Sequence, residues 1–536
     1  MLGVSSEVPM RALPPTALTL CLAVPALVAS DRGPAPLPKD FEATVQRAMQ
    51  AFEVPGMAVA VVKDGKVVLA KGFGVRKLGQ PGAVDAHTLF GIASNSKAFC
   101  AASVALLVDE GKLAWDDPVI KHLPGFKVAD PYVTRELTIR DLLSHRTGLG
   151  LGAGDLMYWP DTDFTRERVL AGAAHLRQAS SLRSRYAYNN LGFVVAGEVV
   201  AKVAGMPWET FVAQRLLKPL GMTETRITSD GLPDSANVAM PHAKGWRQDQ
   251  PLTAVPRTRD HVWAAAAGLK SNVTDLAKWV ACQLDQGRLP EGQPLFSTKA
   301  HHEMWSLQIP TRIAEKPTKG LEELTPQFAG YGLGWSLRDY QGHKVVSHGG
   351  ALTGMYSTVV MVPDLKLGVV VLTNQEQSSA FGALVYTLLD QALGRPAKDW
   401  VGLMKRRDTE NLEKARKELA EAEAKRDPAS RPSLPLPRYA GTYRDAWYGD
   451  LLVTEAGGKL SLRLVPTADA VAELQPWQQD TFRAVFKDPN LPDAYLTFRL
   501  DPTGAVESVK MVTTSGLADF SFDFQDLDLR PVKAGQ

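Results

Sequence analysis

The chain has 536 residues, of which 45% are hydrophobic and 22% are charged. This composition is typical of a soluble globular protein, and the length predicts two or three domains rather than one. The 60 lysine and arginine residues nearly balance the 58 aspartate and glutamate residues, so the net charge of +2 gives no electrostatic case for binding nucleic acid. Three cysteines are too few for a disulfide framework.

The first 30 residues have the features of a secretory signal. Arg11 precedes an apolar run from Leu13 to Ala29, and Val28-Ala29-Ser30 offers a cleavage site. We expect cleavage and export, to the periplasm or outside the cell, with no stable membrane span in the mature chain. An uncleaved anchor is the alternative, because a run of about 17 apolar residues is at the lower limit for spanning a bilayer.

The next part of the chain alternates β-rich and helical patterns. In chain order, the predicted elements are a helix over 41–52, a hairpin over 57–70, a buried helix over 97–110, a short helix over 138–144 capped by Thr138, a helix over 271–284 capped by Ser271 and a hairpin over 359–372. Hairpins at both ends with helices between them predict a mixed α/β (α+β) domain, in which an antiparallel sheet is flanked by helices and carries a helical insertion.

The last quarter of the chain changes character twice. Residues 405–427 are densely charged, with an apolar stripe at Leu412, Ala415, Leu419 and Ala422 that predicts a helix lying against a neighbouring domain, or less readily a coiled coil. A proline-rich spacer and short alternating runs follow, which predict a small all-β, barrel-like domain. We therefore divide the chain into a signal (1–30), a main domain (31–395), a charged linker (396–437) and a β domain (438–536).

Ser94-Asn95-Ser96-Lys97 stands where the β-rich start gives way to the buried helix. A serine and a lysine three positions apart share one helix face, so the Lys97 amine can reach the Ser94 hydroxyl. Serine is a weak nucleophile that needs a base beside it, and a buried lysine with a lowered pKa can be that base. An ordinary helix start is the plainer interpretation, but a lysine in an otherwise apolar helix needs a polar partner.

Two further motifs are weaker when taken alone. Tyr188-Asn189-Asn190 precedes an apolar helical run, where a tyrosine can relay a proton and an asparagine can donate and accept hydrogen bonds, or simply cap the helix. His348-Gly349-Gly350 ends a β-rich run, where two glycines would let a substrate lie against a strand edge.

In their order along the chain, these three motifs resemble those of the serine β-lactamase and penicillin-binding-protein superfamily. The nearest branch resembles class C β-lactamases, family VIII esterases and D-aminopeptidases, and the resemblance covers about residues 40–395. A further stretch that resembles sequences of this family is Leu142-Leu143-Ser144-His145-Arg146-Thr147-Gly148-Leu149. The C-terminal β domain resembles, much more loosely, the lipocalin-like modules of some members.

The resemblance implies a role for each matching residue. Ser94 would be the acylated nucleophile, Lys97 would take its proton or hold a network that does so, and Tyr188 would be the general base or a proton shuttle to the leaving group. Asn190 would bind the substrate's amide side and orient Lys97. The backbone N–H groups of Ser94 and Ala351 would form the oxyanion hole.

Two departures from the family pattern bear on the substrate. His348 stands where many relatives carry a lysine, and Gly349 replaces a threonine, so a fixed positive charge and a hydroxyl that hold a substrate carboxylate are both missing. These changes favour an esterase or a peptidase acting on a peptide or D-amino-acid amide over the first alternative, a true β-lactamase or DD-carboxypeptidase. A penicillin- or peptidoglycan-binding protein without turnover is the alternative of another class.

No cofactor or metal is expected. His301-His302-Glu303 lacks the second histidine that a zinc-binding helix needs, so we expect these polar side chains to lie at the protein surface. Cys100 and Cys282 are expected to be two buried thiols, with a single disulfide between them left open. The partner is a small-molecule or peptide substrate, and self-association stays open.

Overall fold

The computed structural model describes residues 37–233, 236–246 and 250–533. The predicted signal segment lies outside these residues. Fourteen α-helical segments, α1 to α14, occur in the described chain, and their bounds are Phe41–Ala51, Ser96–Asp109, Val119–His122, Pro131–Glu136, Ile139–Leu143, Arg166–Gly172, Asn190–Ala204, Trp208–Val212, Lys218–Leu220, Ala264–Ala267, Val273–Leu284, Thr298–Met304, Ser378–Ala392 and Trp400–Ala424.

The main domain is built on an eight-stranded sheet in which all neighbours are antiparallel. Its strands β1 to β8 are Gly56–Lys63, Lys66–Gly74, Ile309–Pro310, Ala329–Tyr331, Ser336–Tyr340, His343–Leu352, Met355–Val362 and Leu367–Thr373. They lie in the order β2-β1-β8-β7-β6-β5-β4-β3. Because β1 pairs with β8, both ends of the domain build one sheet, as the two predicted hairpins require.

The central strands are buried on both faces because the sheet carries helices on both sides. In β1, Ala58 and Ala60 face one core, whereas Met57, Val59 and Val61 face another. This alternation is the two-residue period of a strand. The second core also contains side chains of α1 and α13, and the first contains those of α2, α7 and α11.

Two sequence-based expectations change in detail. The cap of α11 is Asn272, whose side chain accepts a hydrogen bond from the Asp275 N–H, so Ser271 is not the cap. The helix predicted over 405–427 begins at Trp400, which is buried in the main domain. Within its apolar stripe the Leu412 side chain is exposed whereas Leu419 is half-buried, and just beyond the helix Arg426 donates to the Trp477 carbonyl of the C-terminal domain. Cys100 and Cys282 are both buried and free, as expected.

The C-terminal domain is a second eight-stranded antiparallel sheet. Strands β9 to β16 are Gly441–Asp445, Gly449–Ala456, Lys459–Leu464, Val471–Gln478, Thr481–Phe486, Ala494–Leu500, Val506–Thr513 and Arg530–Pro531. The sheet curls until its edges almost meet, because β16 pairs with β9 while Val509 donates to the Leu529 carbonyl beside it. The barrel-like form predicted for this domain is therefore present.

The barrel packs directly on the helical insertion of the main domain. The Asp163 N–H donates to the Pro466 carbonyl, and Thr162 forms a bridge with Thr467. Buried barrel residues such as Trp447 and Phe524 belong to the same apolar core as Leu156 of the insertion.

Among the described residues no single helix is long and apolar enough to cross a membrane, although α7 and the helix over Trp208–Leu220 pass that test as a pair bent by 75°.

Candidate active site

Ser94 lies in a short turn, Ala93–Asn95, that leads straight into α2. Ala93 has a φ of +48°, in the left-handed region that costs a residue with a Cβ free energy. The turn is held by β7, where the Ser357 hydroxyl accepts from the Asn95 amide and donates to the Ile92 carbonyl. Ser94 is thereby fixed at the edge of the sheet with its side chain partly exposed.

Lys97 is the second residue of α2, is fully buried and points back at Ser94. Its Nζ lies 2.9 Å from the Ser94 Oγ, 2.6 Å from the Asn190 Oδ1 and 3.0 Å from the Ala266 carbonyl oxygen. Burial lowers the pKa of Lys97 to about 7, although the nearby Asp155 opposes the shift. A large fraction of the lysine is therefore neutral near pH 7 and able to accept a proton.

Tyr188 and Asn190 flank the residue that caps α7. Asn189 is that cap, since its side chain accepts from the Gly192 N–H, which leaves the Asn190 amide free to hold Lys97. The Tyr188 ring lies 4.8 Å from the Lys97 Nζ. Burial raises the pKa of Tyr188 well above its usual value, and a hydrogen bond with Ser94 only partly opposes this. Tyr188 is thus a protonated phenol at neutral pH.

Both ring nitrogens of His348 are engaged by the protein. Nδ1 lies 2.6 Å from the Gly349 carbonyl oxygen, so it must be the protonated nitrogen, and Nε2 accepts from the Tyr331 hydroxyl at 2.7 Å. Burial, followed by the charge of Lys97, lowers the pKa of His348 to about 3. The histidine therefore carries no positive charge at neutral pH.

The two glycines after His348 have different surroundings. A Cβ on Gly350 would lie 2.1 Å from the Ile92 carbonyl oxygen and 2.9 Å from the Ala93 Cβ, so glycine is needed for β6 to approach the Ser94 turn. A Cβ on Gly349 would meet no atom closer than 3.8 Å. The absence of a side chain at Gly350 thus lets β6 approach the Ser94 turn. The absence of one at Gly349 leaves free space beside the strand.

These residues surround one cavity of about 420 Å³. The sequence-predicted residues that line it are Ser94, Tyr188, Asn190, His348, Gly349, Gly350 and Ala351. Lys97 lies behind Ser94 and reaches the cavity through it. The structure therefore brings together every residue that the three motifs single out.

The barrel supplies part of the cavity wall. Its lining residues are Asn490, Asp519, Phe520, Ser521 and Phe522. The main domain adds Trp159 and Glu376, which the motifs missed. Burial raises the pKa of Glu376 to about 7, and the neighbouring Asp519 adds to the shift. No lysine or arginine of the described chain lines this cavity.

A metal site is not found in the described ranges, where no three His, Cys, Asp or Glu side chains are grouped so as to hold an ion. His301, which the sequence placed at the surface, is buried against Trp305 with ring centroids 4.2 Å apart. It is part of the core because α12 turns that face towards Phe296.

Comparison with known proteins identifies the family of the main domain. A family model described as Beta-lactamase matches residues 41–394, and one described as a domain of unknown function (DUF3471) matches residues 425–531. The unguisins hydrolase ungD of Aspergillus violaceofuscus (strain CBS 115571) is 30% identical over 472 residues, which are 81% of this chain and 79% of that protein. Penicillin-binding protein 4 of Amycolatopsis lactamdurans is 30% identical over 61% of this chain and 83% of its own.

Solved structures show the same fold. The octameric penicillin-binding protein homologue from Pyrococcus abyssi superposes with a TM-score of 0.58 at 23% identity, covering 88% of this chain and 98% of that one. SurE superposes with a TM-score of 0.53 at 22% identity, covering 92% and 99%. The family model spans the whole main domain, and the motifs within it lie around one cavity. The chain belongs to the β-lactamase family of serine hydrolases.

Proposed function

We propose that this protein is an exported serine hydrolase that cleaves an ester or amide bond through an acyl-enzyme on Ser94. The observation that carries the proposal is the 2.9 Å contact between the Ser94 Oγ and a lysine amine whose pKa is about 7. A base with a pKa near the working pH is the efficient choice for deprotonating a nucleophile. Export rests on the sequence pattern of residues 1–30.

The reaction follows from the protonation states. Neutral Lys97 takes the proton of Ser94 as the hydroxyl oxygen attacks the substrate carbonyl, and the N–H groups of Ser94 and Ala351 receive the developing negative charge. The protonated Tyr188 donates its proton to the leaving amine or alcohol and regains one from Lys97. Water then attacks the ester on Ser94, which releases the acid and restores the serine.

The charges around the cavity favour substrates without a carboxylate at the strand edge. His348 is neutral, no described lysine or arginine lines the cavity, and Glu376 and Asp519 contribute acidic groups instead. Penicillins and the C-termini of D-Ala-D-Ala peptides would bring a second negative charge into this space, which costs free energy. Esters and D-amino-acid or peptide amides, whose acyl part is neutral or cationic, suit it better.

A substrate panel tests the proposed class. It contains short-chain p-nitrophenyl esters, D-amino-acid amides, D-Ala-D-Ala peptides, nitrocefin and unguisins, which give the fungal relatives their name. We expect the highest kcat/KM on an ester or an amide that lacks a free carboxylate. Efficient nitrocefin turnover without ester or amide cleavage would contradict this. A fluorescent acyl label that never clears from wild type would indicate the non-turnover binding protein instead.

The pH dependence of ester hydrolysis reports on Lys97. Because the lysine must lose its proton to act, kcat/KM should fall about tenfold per pH unit below an apparent pKa near 7. The measurement uses an ester without an ionisable group between pH 5 and 9. Glu376→Gln is the control, because the pKa of Glu376 is also about 7. If the fall in kcat/KM below pH 7 reports on Lys97, this variant should show the same fall. Full activity at pH 5 would contradict the assignment.

A further inference from the structure

A buried chain of hydrogen bonds runs from the catalytic lysine into the barrel. The Lys97 Nζ donates to the Asn190 Oδ1 at 2.6 Å, and the Asn190 Nδ2 donates to the Asp155 Oδ2 at 2.8 Å. The same carboxylate oxygen accepts from the Ser521 hydroxyl of the barrel at 2.8 Å. We propose that Asp155 and Ser521 are positioning residues that hold Asn190 and, through it, Lys97, which makes the barrel part of the catalytic apparatus. This inference rests on the proposed function.

Asp155 has a donor for each of its oxygens. Its Oδ1 accepts from the Tyr158 hydroxyl at 2.7 Å, while its Oδ2 takes the bonds from Asn190 and Ser521. With all three donors in place, the carboxylate has one orientation. An amide can rotate by half a turn and exchange its donor and acceptor ends. Because Asp155 accepts from the Asn190 Nδ2, the Asn190 carbonyl oxygen must face Lys97.

The barrel forms hydrogen bonds with the main chain on both sides of Asp155. The Asp523 carboxylate accepts from the N–H of Gly154 at 2.7 Å and from the N–H of Leu156 at 3.1 Å. Phe520 packs over Gly152 and edge-on against the Tyr188 ring, with centroids 5.5 Å apart. The barrel segment 519–523 therefore fixes Asp155 from behind while it forms the cavity wall in front.

The charges show what this arrangement does to the lysine. Lys97 is faced by Asp155, Tyr188, His145, His348 and Cys100, and of these Asp155 and Cys100 raise its pKa against the effect of burial. Asp155 is in turn faced by Tyr158, Ser521, Asn190, Lys97 and Asp523. Burial raises the pKa of Asp155 to about 7, so it is partly ionised near neutral pH, and where it is ionised its charge raises the pKa of Lys97. Removing the charge of Asp155 should therefore lower the pKa of Lys97.

Asp155→Asn gives the first test. Its amide oxygen can still accept from Asn190, so the fold is kept while the charge is lost. We expect the acid limb of Ser94 labelling by a fluorophosphonate to move down by about one pH unit, with a lower plateau rate. Asp161→Asn is the matched control, because Asp161 is a partly buried acid on the same loop that accepts from the Arg259 N–H and not from Asn190. A merely structural Asp155 would lower the melting temperature without moving the limb.

Ser521→Ala gives the second test. It removes the bond from the barrel to Asp155. We expect about a tenfold loss of kcat with only a small decrease in melting temperature, since one buried hydrogen bond to a carboxyl group is lost while the fold is kept. Ser521→Thr, which keeps the hydroxyl, should recover most of the loss. Ser515→Ala is the control, because the Ser515 hydroxyl accepts only from the nearby Leu517 N–H among the hydrogen bonds described for it.

The outcomes separate the two proposals. If wild type is labelled at Ser94 but the acid limb of Asp155→Asn stays in place and Ser521→Ala is fully active, the positioning role is wrong and the hydrolase stands. If wild type is not labelled at all, the proposed function fails, and the positioning role fails with it. A shifted limb in Asp155→Asn together with a loss in Ser521→Ala that threonine rescues supports the inference.

Discussion

Replacing Lys97 by alanine should lower the rate of Ser94 acylation by about 10³-fold, because a positioned general base contributes on the order of 10² to 10⁴. The change removes the amine that lies 2.9 Å from the nucleophile, and no other described basic side chain is hydrogen-bonded to Ser94. Initial rates on a p-nitrophenyl ester and the rate of fluorophosphonate labelling measure the loss.

Two further variants show that the loss belongs to the base. Lys97→Arg keeps a positive charge that cannot be lost near neutral pH, so it should be as inactive as Lys97→Ala. Lys278→Ala changes a lysine that is bonded to Asp275 and the Gly221 carbonyl and does not line the cavity, so this variant should retain wild-type rates. Unchanged acylation in a folded Lys97→Ala protein would overturn the assignment of the base.

Replacing Ser94 by alanine should reduce hydrolysis by at least about 10³-fold and abolish covalent labelling, because the nucleophile itself is lost. Alanine fits this site, since the Ser94 side chain accepts from Lys97 but fills no core position. Melting temperature should therefore change little. The measurement pairs ester turnover with labelling on the same preparation.

Ser103→Ala is the matched control for this change. Ser103 is a buried serine on α2, the helix that follows the Ser94 turn, and its hydroxyl donates to the Phe99 carbonyl. Its removal should leave both labelling and turnover intact. Labelling that persists in Ser94→Ala would place the nucleophile elsewhere in the chain.

Local patterns were enough to predict the core of the fold. The alternation of valines in β1 and the apolar run of α2 each specify an element, and hairpins at both ends of the domain required one shared sheet. Lys97 could be singled out because a lysine in a fully apolar helix must have polar partners, and the structure supplies Ser94, Asn190 and the Ala266 carbonyl.

Contacts between residues far apart in the chain could not be predicted from the sequence. Ser521 and Asp155 are 366 positions apart, and Asp155 ends a glycine-rich loop in which nothing local marks a buried carboxylate. The pKa of His348 is lowered by burial and by the charge of Lys97, a residue 251 positions earlier in the chain, and its Nε2 accepts from Tyr331 on another strand. The cap of α11 was missed by one position because Ser271 and Asn272 are both good caps and only the backbone geometry decides between them.

The central claim is that the substrate acylates Ser94 and that water then releases the acyl group. Its most direct test is rapid-quench mass spectrometry of wild type during turnover of a p-nitrophenyl ester. The account predicts a transient mass increase of one acyl group, mapped to the peptide that contains Ser94, which builds up within a turnover and disappears when substrate is exhausted. Turnover without an adduct on that peptide, or an adduct on another residue, would contradict it.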